Sequence, residues 1–397
     1  MIDRRESANP PGRHARGGAF AILYLIESCT RALMASVVPI LAYDLLQSEQ
    51  RVSMLYTAVS LVGLALTLLI PVLTALLPRR WVYTIGALAL GGSSLLFAAG
   101  LLPTQIVAMA LRTFGASVMA ITVNLYILDH VRRTDMVAVE ARKMGWATIA
   151  WTLGPFGGVW LYDRFGIVAP ALVSFVFAVI VLAVFWWYRL GQNPLIRPGK
   201  ARAGNPLANI RRFVAQPRMR LAWAIAFGRS CFWTTFYVYA PILMVVSGQG
   251  NLAGGLVVSA GNLMLLLSVP WGRVGARFGV RTTIAGGFAA IVVLLLASSM
   301  TAVDYPLVTA AFLLGGSLFA VAHDAVGSAP FLRAVRPFER GEMTAVYRTY
   351  LELSDLLPAI VYSVVLLFFG LGSVFFTLAI LIAFIGWLSW VWLPESM

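Results

Sequence analysis

The sequence predicts an all-α membrane protein: twelve transmembrane helices in two pseudo-symmetric six-helix bundles, with both termini in the cytoplasm. Three observations predict it. First, 60% of the 397 residues are hydrophobic and only 12% are charged, whereas a soluble domain carries about 25% charged residues. Second, apolar runs of the ~20 residues needed to span a bilayer recur along the whole length. Third, the chain repeats itself. Glu27-Ser28-Cys29, followed by Pro39-Ile40-Leu41, returns as Arg229-Ser230-Cys231, followed by Pro241-Ile242-Leu243, at an offset of 202 residues.

The repeat continues beyond this stretch. Pro71 matches Pro270, Gly115-Ala116-Ser117 matches Gly315-Gly316-Ser317, Asn124 matches Asp324, and Pro155 matches Pro358, at offsets of 199 to 203. Hydropathy with Gly and Pro punctuation places the spans near 18–42, 52–77, 80–101, 104–128, 140–162 and 168–190. The second copy has them near 218–246, 252–272, 281–300, 306–330, 341–368 and 372–393. The domains are then a tail (1–17), an N-terminal bundle (18–190), a linker (191–217) and a C-terminal bundle (218–397). The linker holds four Pro and many Arg, with a short amphipathic helix expected from Leu207 to Val214. Parallel six-span halves with a binding site at their interface are a transporter architecture.

The net charge of +14 is distributed unevenly. Of the 30 Lys and Arg, 24 fall in tails or loops on one side, including Lys143 in the loop 132–143; Arg51 and Arg164 lie on the other. This positive-inside bias places both termini in the cytoplasm and the protein in the plasma (inner) membrane. It also argues against a nucleic-acid surface. Residues 1–17 are polar and basic and lack the pattern of a cleaved signal. Two Cys make no disulfide framework, and three His make no metal site, so no cofactor or metal is expected.

Local motifs add a resemblance. Gly272-Arg273-Val274-Gly275-Ala276-Arg277-Phe278-Gly279-Val280-Arg281 is similar to the G-x-x-x-D-R-x-G-R loop of the major facilitator superfamily, with Ala276 where Asp is usual. After span 2 only the basic pair Arg79-Arg80 remains. Gly154-Pro155-Phe156-Gly157-Gly158 resembles the G-P-x-x-G-G element of drug and metabolite antiporters in that superfamily, and Arg112 with Gly115 resembles the R-x-x-x-G of its proton-coupled members, with the Gly one residue early. The resemblance implies alternating access by rocking of the two halves. It implies gating or hinge roles for Gly154, Pro155, Gly157, Gly158, Arg277 and Gly279, and the repeat itself suits a shared bend at Pro39 and Pro241.

Function should be sought at charges within the bilayer, because each costs roughly 2.5–3.5 kcal/mol on insertion scales and faces a cavity or a partner. Glu27 lies about 14 Å into span 1, with Arg31 one turn later on the same face. If spans 1 and 7 line a central cavity, as the resemblance implies, Glu27 and Arg229 approach each other across the pseudo-two-fold axis. Arg348, Glu352 and Asp355 share one face of span 11, where one Arg cannot neutralise two acids. Span 10 carries His323-Asp324. Glu27, Asp355, Glu352 and Asp324 are the candidate proton carriers. Arg229, Arg112, Arg31, Arg348, Asn124, Tyr350 and Trp233 are the candidate substrate or counter-charge groups. Trp146, Trp151, Trp223 and Trp233 are placed to pack or to stack on a substrate.

No nucleotide-binding motif accompanies Lys143 or Lys200, the only two Lys. The expected function is secondary active transport, as proton-coupled export of a small amphipathic or organic molecule by a monomer. The alternative is an importer or facilitator of a polar metabolite, anions included, suggested by four intramembrane Arg. An intramembrane enzyme or receptor has little support: neither H-E-x-x-H nor G-x-S-x-G occurs.

Overall fold

The computed structural model describes residues 13–130, 136–188, 206–336 and 339–395. Among them the regular structure is helical. The N-terminal set is α1 (Arg13–Leu33), α2 (Val37–Leu46), α3 (Glu49–Leu76), α4 (Arg79–Ala98), α5 (Leu102–His130), α6 (Met136–Phe165) and α7 (Val168–Trp187). The short α8 (Pro206–Val214) covers the stretch read as amphipathic. The C-terminal set is α9 (Pro217–Val246), α10 (Asn251–Leu263), α11 (Ser268–Phe278), α12 (Val280–Thr301), α13 (Pro306–Val326), α14 (Ala329–Ala334), α15 (Arg340–Tyr347), α16 (Thr349–Val365) and α17 (Gly372–Trp392).

Helix ends follow local chemistry. Ser48, extended at φ −158°, caps α3 by accepting from the Arg51 amide. Pro217 and Pro306 open α9 and α13, where an amide would have no intrahelical partner. Gly279 joins α11 to α12 at φ 88° and ψ 151°, a conformation essentially confined to glycine.

Four predicted spans are interrupted, the one read as 306–330 near its end, at residues 327–328 between α13 and α14. The span read as 18–42 breaks at residues 34–36, between α1 and α2. Pro39 has no amide to donate and crowds the carbonyl four residues back. A 3-10 turn at Met264–Leu267 precedes Pro270 for the same reason. The span read as 341–368 breaks at Arg348, between α15 and α16. By contrast, α9 runs through Pro241 unbroken, so the bend expected at both Pro39 and Pro241 differs between the copies.

Helix contacts repeat between the two sets. α4 packs on α5 and α7 as α12 packs on α13 and α17; α1 packs on α6 and α7 as α9 packs on α16 and α17. The sets meet through α3 on α16 and α6 on α10, which are again equivalent pairs. Four inter-set hydrogen bonds mark the boundary among the described residues: Ser53–Tyr239 (2.5 Å), Ser60–Asp355 carbonyl (3.3 Å), Phe156 amide–Ser259 (3.0 Å) and Asn251–Asp163 (3.4 Å).

The outer surface is apolar. Leu76, Trp187, Met300 and Phe368 are 74–85% exposed, a pattern suited to lipid and prone to aggregation in water. Nine helical units among the described residues are long and apolar enough to cross a membrane. α6, α9 and α16 are not among them. They carry Lys143, Arg229, and the pair Glu352 and Asp355.

Candidate functional site

A cavity of about 240 Å³ lies between the two sets. Its N-terminal wall includes Tyr56 of α3, Arg112 of α5 and Trp151 of α6. Its C-terminal wall includes Thr234 and Tyr237 of α9 and Glu352 and Asp355 of α16. Asp355 faces open space while lying deep in the molecule, and its Oδ1 accepts from Thr234 at 2.9 Å.

The break in α1 positions Arg112. With the helix intact, the Ala35 amide would bond the Arg31 carbonyl; it bonds the Ala32 carbonyl instead, at 3.1 Å. The Arg31 carbonyl accepts from Arg112 Nη2. Arg112 Nη1 is buried and has no hydrogen-bond partner.

Glu27 is fully buried and forms an ion pair with Arg31 at 3.6 Å. The guanidinium of Arg31 lies 5.6 Å from the Trp151 ring centroid and acts electrostatically on Asp355 as well. Lys143 is only 4% exposed. Its Nζ donates to Asn124 Oδ1 at 3.4 Å, lies 4.8 Å from the Tyr24 ring centroid, and contributes to the field at Glu27. The loop position expected for Lys143 is therefore corrected: α6 begins at Met136, and Lys143 is seven residues inside it. Residues 131–135 of that loop lie outside the described residues.

The expected Glu27–Arg229 pair does not form. Arg229 Nη1 pairs with Asp324 Oδ1 within its own set, and Nη2 donates to the Tyr350 hydroxyl at 3.2 Å. Trp233 Nε1 donates to Asp324 Oδ2 at 3.0 Å. Glu27 and Arg229 thus each find a partner within their own set, Glu27 on its own helix and Arg229 on the packed α13. The repeat-equivalent residues Asn124 and Asp324 each hold a cation. No ion pair joins Arg348 to Glu352 among the described residues, although Arg348, at the junction of α15 and α16, keeps helical dihedrals at φ −64° and ψ −12°. His323 is buried, with Nδ1 3.0 Å from the Phe319 carbonyl and Nε2 3.0 Å from the Ile284 carbonyl.

Of the four Trp considered as substrate platforms, only Trp151 lines the cavity. Trp223 stacks on Phe227 at 5.0 Å, and Trp233 is held by Asp324. Among the expected hinge residues, Gly154 and Gly158 are close-contact positions. A Cβ at Gly154 would meet Ala32 at 2.5 Å, and one at Gly158 would strike the Leu33 carbonyl. Gly157 meets nothing within 4 Å. A Cβ on Gly254 would meet Pro241 at 2.9 Å, and Arg277 lies 5.3 Å from the Phe278 ring centroid.

Sequence reasoning missed Lys143, Thr234 and Tyr237. The scarcity of Lys was the one available signal for the first. Hydroxyls in apolar spans gave none for the others, since most such groups bond their own helix backbone.

Repeat-related helix sets around a charged cavity form the fold of a membrane transporter. Residues 20–267, more than half of the chain, match the Major Facilitator Superfamily, and the chain belongs to that superfamily. Similar solved structures include the nucleoside transporter NupG, with TM-score 0.71, 13% identity, and coverage of 94% of this chain and 98% of that one. A POT family transporter in complex with 5-aminolevulinic acid gives TM-score 0.74, 10% identity, and coverage of 95% and 96%. A D-xylose-proton symporter gives TM-score 0.72, 13% identity, and coverage of 96% and 98%. No curated protein matches the chain in sequence.

Proposed function

We propose that the chain is a proton-coupled secondary transporter that moves a small polar solute by alternating access. The carrying observation is the cavity between the two sets, with Arg112 on one wall and Glu352 and Asp355 on the other. Charges at this depth are costly, and a binding and coupling site gives them a use. Glu27, Glu352, Asp355 and Asp324 are the proton-carrier candidates. Arg31 supports the first and third, since a single guanidinium acts on Glu27 and Asp355 from opposite sets.

In this reading α1 with α2, α10 with α11, and α15 with α16 each make one crossing, which brings the total to twelve. The positive-inside bias supports cytoplasmic termini in the inner membrane. The four inter-set hydrogen bonds lie away from the linker, supporting a state closed on that side and open toward the cytoplasm.

Export was suggested by the G-P-x-x-G-G element. Close packing of Gly154 and Gly158 on α1 accounts for two of its three glycines without reference to direction. The charged cavity favours a polar solute over an amphipathic one. Solved relatives of the fold are named for nucleosides, D-xylose with protons, and a complex with 5-aminolevulinic acid, all small and polar.

The test is reconstitution in liposomes with labelled uridine, D-xylose, leucine and dialanine under an imposed pH gradient. Gradient-dependent accumulation of at least one, abolished by a protonophore, is expected. Uptake indifferent to the gradient would leave a facilitator, and no movement of any solute would remove the transporter reading.

A further inference from the structure

The charges lining the cavity are complementary in a way that specifies a ligand. Arg112 makes no ion pair among the described residues, and its Nη1 is buried without a partner. Glu352 and Asp355, on the opposite wall, also make no ion pair of 4 Å or less there; Asp355 accepts one hydroxyl. The surrounding charges are engaged elsewhere or lie at the edge. Arg31 is paired with Glu27, and Arg348 is an exposed residue one turn before Glu352. A buried guanidinium nitrogen without an acceptor is costly, as is an unpaired carboxylate. The two kinds of group belong to different sets, so one solute touching both would bridge the halves.

We propose that the transported solute is a small dipolar molecule, with an anionic group held by Arg112 and a cationic nitrogen held by Glu352 and Asp355. This rests on the transporter reading and narrows it. A carboxylate placed against Nη1 supplies the missing acceptor as a charge-assisted hydrogen bond. An ammonium between two acids neutralises one and leaves the other to carry a proton, so substrate and proton can share the site. The volume of 240 Å³ is below the ~300–1,000 Å³ usual for drug-sized ligands, which fits a solute of amino-acid or dipeptide size. Trp151 and Tyr237 add ring faces beside the charged walls.

The experiment measures thermal stabilisation of the purified full chain by matched probes. These are leucine, dialanine, taurine and glycine betaine as dipolar solutes; N-acetyl-leucine as the anion; leucine methyl ester as the cation; and uridine and D-xylose as neutral solutes. Stabilisation by at least one dipolar probe, at least about tenfold tighter than by its singly charged relative, is expected. Arg112→Gln should erase the preference for leucine over its methyl ester. Paired Glu352→Gln and Asp355→Asn should erase the preference for leucine over N-acetyl-leucine. Each readout is a preference ratio within one folded variant, and Arg112→Lys, which keeps the charge, should restore part of it. Binding only by neutral or singly charged probes, or by none, overturns the dipolar assignment. Gradient-driven uptake of uridine or D-xylose in the liposome assay would meanwhile leave the transporter reading intact.

Discussion

The rings of Trp151 and Tyr237 lie 5.7 Å apart, centroid to centroid, across the boundary between the two helix sets. The contact links two charge clusters that do not touch. On one side Arg31 lies over Trp151 and pairs with Glu27. On the other, Tyr237 stacks with Trp233 at 5.8 Å, and Trp233 bonds Asp324, the partner of Arg229. Glu27 and Arg229 are thus related through an aromatic column.

The column makes the first prediction. Trp151→Ala and Tyr237→Ala should be non-additive in a double-mutant cycle of thermal stability, with a coupling of about 0.5–1.5 kcal/mol. Additive losses would show that the rings are not in contact in the purified protein.

Glu27→Gln leaves Arg31 and Lys143 without their buried counter-charge. Removing one partner of a buried pair costs about 3–5 kcal/mol, and the half-exposed position of Arg31 favours the lower end. The thermal midpoint should fall, and adding Arg31→Gln should recover at least half of the loss. A double variant no better than the single one would assign the stabilisation to contacts other than the pair.

Asp324 holds two donors, so Asp324→Asn should destabilise more than Trp233→Phe. The first leaves Arg229 without its ion pair; the second removes one hydrogen bond to a carboxylate, about 1.5–3 kcal/mol. Denaturation of both variants in the same detergent gives the order directly, and a reversed order would mean that Arg229 finds another acceptor.

Gly158→Ala and Gly157→Ala are neighbouring changes with opposite expected outcomes. The first drives a methyl into the Leu33 backbone and should cost about 1–3 kcal/mol or prevent assembly. The second adds a methyl to open space on a helix and should be neutral or stabilising by about 0.5–1 kcal/mol. Expression level and thermal midpoint distinguish them.

Several features of the site were legible in the residues. The Glu27–Arg31 pair follows from i,i+4 spacing alone, and Asp355 and Arg112 stand out as charges in apolar runs. Other features were not. Lys143 read as a loop residue because nothing in an apolar run marks the turn at which its helix begins. Arg348 read as a partner of Glu352 because i,i+4 spacing says that two side chains can reach each other, not that they do. The orphan carbonyl of Arg31, and with it the pose of Arg112, depends on a break that starts five residues ahead of Pro39 in one copy and does not occur at Pro241 in the other.

The sequence by itself determined that this is a helical membrane protein built from a repeat, because apolar run length, charge bias and offset matches are properties of the chain read in order. Only the tertiary structure decided which charges meet. Arg229 turned to Asp324 and Lys143 to Asn124, while Arg112, Glu352 and Asp355 were left facing one cavity. Such choices depend on where helices break and which faces pack together, and both are set by contacts between residues far apart in the chain.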